Sequence, residues 1–141
     1  MPGMKDPVRD YLRERGCGEH VIEGGLEGLA ESWEKTVREV ENGYSLTLDD
    51  YLNDLDARQL IADAMAAAND LQRAAIEARL SRADEKMRSL TTPLKVCLWG
   101  QEVANEEGWT AEKNWWYFAR PIKADPELLA EIGESGMGNG E

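Results

Sequence analysis

The sequence predicts a mainly α-helical, single-domain bundle with a small two-stranded antiparallel β-ribbon near its C-terminus. Three observations carry this expectation: two long segments with apolar residues at helical spacing, repeated helix start and stop signals, and a change to β-prone, aromatic character after Pro93.

Asp6 followed by Pro7 reads as a helix start, an acceptor at the N-cap and then a proline whose missing N–H costs nothing in the first turn. Gly16 ends this short helix, and Gly18 reinforces the break. The second helix, 20–42, carries Ile22, Leu26, Leu29, Trp33, Val37 and Val40 in one continuous stripe, and Gly43 stops it. A helix over Leu48–Leu55 starts from Ser45 or Thr47. Asp56, with Gln59 three residues on, suggests a capping box for a further segment reaching Ala68. Asn69 and Asp70 interrupt the pattern, with Asp70 as the expected cap of a helix over 71–90. That helix presents Ile76, Leu80, Ala83, Met87 and Leu90, and Thr92 with Pro93 ends it. The stripes of 20–42 and 71–90 should face each other. A coiled-coil homodimer is the competing arrangement, although barely three heptads are present.

Beyond Pro93, "LKVCLW" and "WWYFARPI" are the two β-prone runs, pairing as a ribbon over about 94–121. The stretch "QEVANEEGWTAEK" between them holds a helical turn or two. Asp125 and Pro126 repeat the opening start signal and lead a last helix, Glu127–Ile132. Residues 133–141, rich in glycine, read as a disordered tail. One domain over 1–132 is expected.

Composition narrows the function classes. A net charge of −12 in 141 residues opposes binding to a nucleic-acid backbone or an anionic membrane surface, and suits a basic protein partner. No apolar run approaches membrane-span length, no secretory leader pattern opens the chain, and Cys17 and Cys97 do not form a secreted disulfide framework. A cytoplasmic location follows as the expectation. Charge is also segregated: residues 44–70 hold six acids and one base, and 71–92 five bases and three acids. The basic stripe Arg79, Arg82 and Lys86 is expected to pair with that Asp-rich segment.

Little catalytic chemistry is available. His20 is the single histidine, so a Ser-His-Asp triad would have to pass through it, and neither phosphate-loop nor dinucleotide spacing occurs. Cys17 and His20, with Cys97, offer a weak metal or thiol site, one ligand pair where structural zinc normally shows two. Asp50, Asn53 and Asp54 share a helical face, but acids in a first helical turn are already explained by the helix dipole. No cofactor and no metal are expected. Gly24, Gly25 and Gly28 each cost about 0.8–1 kcal/mol inside a helix. Either the helix begins later, near Leu26, or a neighbouring segment fills a small-residue face that Ser32 flanks; a partner protein is a third occupant.

The run "NWWYFARP" concentrates four of the ten aromatic residues. As a strand it would not alternate aromatic with polar, so it calls for cover on both faces and reads first as packing. What stays exposed of Trp115, Trp116, Tyr117 and Arg120 is a candidate protein-contact surface, because tryptophan, tyrosine and arginine are enriched at interface hot spots. The acidic 49–63 region is the other. The leading expectation is thus a non-catalytic protein-interaction or regulatory module. The alternative is a small-ligand-binding protein or enzyme, with a pocket lined by Trp109, Trp115, Tyr117 and Arg120.

Overall fold

The structure is a computed structural model that describes residues 6–135. The first helix, α1 (Pro7–Glu14), starts as its sequence predicts, with the Asp6 side chain accepting from the Arg9 backbone N–H. Helix α2 (Glu19–Asn42) follows, and all six residues of its predicted stripe are buried. It is broken at Gly25, whose φ of 60° and ψ of −154° are not helical. The break leaves carbonyls at the end of the first segment without helical donors, and Arg9 supplies them. Its Nε donates to the Ile22 carbonyl at 3.0 Å and its Nη2 to the Glu23 carbonyl at 2.6 Å. Both expectations for the glycines therefore need revision. A short helical segment does precede Leu26, and among the described residues no atom beyond the adjoining residues and the local helix backbone lies within 4 Å of a Cβ built on Gly24 or Gly28.

This difference makes a prediction. Gly25→Ala should destabilise the protein by about 1–3 kcal/mol, because that backbone region is essentially open to glycine alone. Gly28→Ala should stabilise it by about 0.5–1 kcal/mol through helix propensity. Urea midpoints of the two variants, moving in opposite directions, check both.

Helix α3 (Leu48–Ala67) is continuous where the sequence suggested two segments. Its capping box is Thr47 with Asp50, not Asp56 with Gln59. Asp56 is unavailable as a cap because its carboxylate accepts from two side chains of the C-terminal region, Tyr117 and Trp99. Helix α4 (Asp70–Ser89) begins from Asn69 rather than Asp70, with Gln72 completing its capping box. The α4 stripe packs inward, and Ile76, Leu80, Ala83 and Met87 are buried with the α2 stripe in one core. Both stripes are thereby covered within the chain.

The ribbon exists but is shorter and shifted. Strand β1 (Thr91–Pro93) pairs antiparallel with β2 (Ala119–Pro121), Thr92 opposite Arg120. A proline closes each strand, and the next residues still bond in the same register, Ile122 donating to the Leu90 carbonyl at 3.0 Å. The expected strand in "LKVCLW" does not form. That segment turns instead, Leu94 and Leu98 donating from their backbones to the Phe118 and Tyr117 carbonyls. Helix α5 (Gln101–Glu107) supplies the anticipated turns, and α6 (Pro126–Ser135) runs three residues beyond its expected end. The rest of the expected tail lies outside the described residues. Tyr44 joins the C-terminal segment to the α2–α3 corner, donating to the Lys123 carbonyl and accepting from the Asp125 N–H. Among the described residues no helix is long and apolar enough to cross a membrane.

Candidate functional site

The aromatic run is not a strand: Trp115–Phe118 forms a turn of 3-10 helix. Its three residues per turn send successive side chains in three directions, where a strand would offer two. Each ring meets a different partner. Trp115 is half-buried beneath Arg88, whose guanidinium carbon lies 4.3 Å from the ring centroid. Trp116 is buried and lies 4.3 Å from the Arg58 guanidinium carbon. Tyr117 stacks on Trp109 at 4.1 Å with 19° between the planes, and its hydroxyl donates to Asp56. Burial and the Asp56 carboxylate raise the Tyr117 pKa far above the ordinary phenol value, so it serves as a neutral donor.

The five candidate residues therefore do not line one pocket. Trp109 opens onto a cleft beside Lys113 and Asn114, Trp115 onto a separate one against Pro93 and Leu94. Trp116 and Tyr117 are interior, and Arg120 sits on β2, its Nη1 donating to the Pro121 carbonyl at 3.1 Å. The run bonds the C-terminal segment to α3 and α4.

Charged groups are arranged differently from the expected pattern. The basic residues of α4 pair chiefly with α2: Arg79 grips both Glu34 oxygens at 2.8 and 2.9 Å, and Lys86 meets Glu41 at 2.8 Å. The pairing with α3 has the opposite sense, an α3 base on an α4 acid. Arg58 donates to both oxygens of Asp84, at 3.0 and 2.7 Å, and the Trp33 indole N–H reaches the same carboxylate at 2.9 Å. In the acidic 49–63 region, Asp54, Asp56 and Asp63 all accept internal hydrogen bonds. Much of that region's acidity is thus part of the fold.

Asp50 caps α3 while Asp54 accepts from the Tyr44 hydroxyl at 2.6 Å, so the two do not act as a ligand set. Burial raises the Asp54 pKa, with Glu39 and Asp50 adding repulsion and Tyr44 and Lys35 opposing. A carboxyl whose pKa is higher folded than unfolded binds more protons in the native state, so its contribution to stability falls as pH rises through its titration. Asp54→Asn removes that penalty. Its urea midpoint relative to the parent protein should rise from pH 4 to pH 7, and a constant difference would contradict the assignment.

Cys17 lies in the α1–α2 turn, His20 is exposed, and Cys97 is buried, its thiol pKa pushed up by burial. Among the described residues no three His, Cys, Asp or Glu side chains converge to hold a metal ion.

Several concavities are open, and two of them adjoin residues singled out from the sequence. The larger, about 680 Å³, runs along the outer face of α2 past His20, Gly24, Gly28, Ser32, Lys35 and Arg38. The lining crosses the break at Gly25, and the unbroken part from Gly28 to Arg38 alone covers about 15 Å at 1.5 Å per residue, so it is a trough and not a compact pocket. The second is the cleft at Trp109, of about 310 Å³, between the end of α1, the middle of α3 and the 107–114 loop. The α2 trough was foreshadowed by its glycines. Arg15, Asp63 and Glu107 of the cleft carried no sequence signal, since nothing local shows which segments meet. No family model, no curated protein and no solved structure matches this chain.

Proposed function

We propose that the protein is a non-catalytic interaction module whose partner is another protein, a helix or extended segment of which lies in the α2 trough. The observation that carries this reading is the unfilled glycine floor. Gly28 weakens its helix by about 0.8–1 kcal/mol relative to alanine, and no described part of the chain uses the space above it. A backbone from elsewhere could approach there closely. The length of the trough suits a helix or peptide better than a small molecule.

The rim suggests the partner's charge. Glu31 lines the trough beside Glu34, Lys35, Arg38 and Arg79, and Glu19, Glu23, Glu27 and Glu31 are exposed along the same helix on either side of its break at Gly25. None of the four forms a salt bridge among the described residues. Basic residues along one edge of the partner would meet these glutamates and acidic ones Lys35 and Arg38, whereas the overall negative charge disfavours a nucleic-acid backbone.

Affinity capture from a native lysate at low salt tests this, comparing the parent protein with Gly28→Leu. The leucine fills the trough without disturbing the core. A protein retained by the parent and lost from the variant is the expected result. Identical retention by both, or no retained protein, would sink the reading.

A further inference from the structure

We propose that the cleft at Trp109 binds a small zwitterion of the α-amino-acid class, its carboxylate held by Arg15 and Lys113 and its ammonium by Glu107. The cleft shares no residue with the α2 trough and does not depend on that reading.

Its floor is prearranged by a chain of hydrogen bonds among three segments. Asn114, only 8% exposed, donates to the Gln59 side-chain oxygen at 2.8 Å. Gln59 donates to one Asp63 oxygen at 3.1 Å, and Arg15 donates to the other at 2.9 Å. The Thr110 backbone N–H closes the chain on Asn114 Oδ1 at 3.1 Å. One wall is the Trp109 ring, backed by the stacked Tyr117 and through it by Asp56. Polar groups held by such a network cost little reorganisation when a ligand arrives.

Charge selects the ligand class. The cleft is lined by two cations, Arg15 and Lys113, and two anions, Asp63 and Glu107. A simple anion or cation would meet as much repulsion as attraction, and a dipolar molecule can satisfy both signs at once. Arg15 and Asp63 already bond to each other. Lys113 and Glu107 form no salt bridge among the described residues, although they border the same cleft. These two are the groups free to exchange water for a ligand's charges. At about 310 Å³ the cleft falls at the small end of ligand pockets. The indole offers its surface to hydrocarbon on the ligand.

The test is a titration of the full chain with each of the twenty common L-α-amino acids, followed by ¹H–¹⁵N NMR. At least one should saturably shift the Trp109 indole N–H and the backbone amides of Lys113 and Asn114, with Kd of about 1 mM or tighter. Lys113→Met and Glu107→Gln should each weaken binding about tenfold, the effect of one lost charge contact. Both side chains lie on the surface, so their thermal midpoints should match the parent's. The N-acetyl and methyl-ester forms of the same amino acid, each short of one charge, should also bind at least about tenfold more weakly. The proposal is overturned if no amino acid shifts these signals. It is equally overturned if the N-acetyl or ester form binds as well as the zwitterion, or if neither variant weakens binding.

Discussion

Replacing Asp84 by alanine is expected to destabilise the fold by about 3–5 kcal/mol, the range seen when one partner of a buried ion pair is removed. Asp84 is the point at which three helices meet, accepting from Arg58 of α3 and from the Trp33 indole of α2. Arg58 is 7% exposed, and its Nη1 has no acceptor among the described residues. Without Asp84 the guanidinium would be left buried against the Trp116 ring, with no carboxylate bonded to it among the described residues. The double variant Arg58→Met with Asp84→Leu removes the stranded charge and should recover part of the loss, the buried Trp33 indole N–H remaining unpaired at a cost of about 1–3 kcal/mol. Urea unfolding of the parent, the single variant and the double variant measures this. Equal losses in the single and double variants would show that the charge pair is not what holds the helices together.

The aromatic run offers the second large effect. Trp116→Ala should cost about 3–5 kcal/mol, the usual consequence of emptying a buried aromatic site. Trp116 is 3% exposed, so the cavity cannot simply fill with solvent. Trp115→Ala should cost about 1 kcal/mol, the scale of a partly exposed cation–π contact such as that with Arg88. The contrast distinguishes packing from recognition. Were the run a binding platform, Trp116→Ala would leave the unfolding midpoint nearly in place.

Several parts of this fold were legible because their causes are local. Asp6 with Pro7 starts α1, and Thr47 caps α3, one of the two starts its sequence suggested. The stripe from Ile22 to Val40 is buried as its spacing predicts. Where the reading failed, a distant residue changed the outcome. Asp56 and Gln59 have the spacing of a capping box, yet Tyr117, sixty-one residues away, occupies the Asp56 carboxylate. The lack of alternation in Trp115–Phe118 correctly implied cover on more than one side. It did not distinguish a strand from a 3-10 turn, because the choice depends on where Arg58, Arg88 and Asp56 stand.

The candidate sites divide in the same way. Glycines at positions 24 and 28 mark the α2 trough in the sequence itself, since a helix that accepts their cost needs a reason. The cleft has no such mark, because Arg15, Asp63 and Lys113 are ordinary surface residues until the chain folds. The pairing of charges was likewise a tertiary matter. The excess of bases in 71–92 was visible, but that Arg79 and Lys86 meet Glu34 and Glu41 follows from α4 lying against α2.

The sequence by itself determined a helical bundle, its main helix boundaries and its buried stripes, because periodicity and capping act over a few residues. Tertiary structure alone decided the form of the aromatic run, the partners of its acids and bases, and which concavities stayed open. Those depend on contacts between residues tens of positions apart, whose geometry no local pattern encodes.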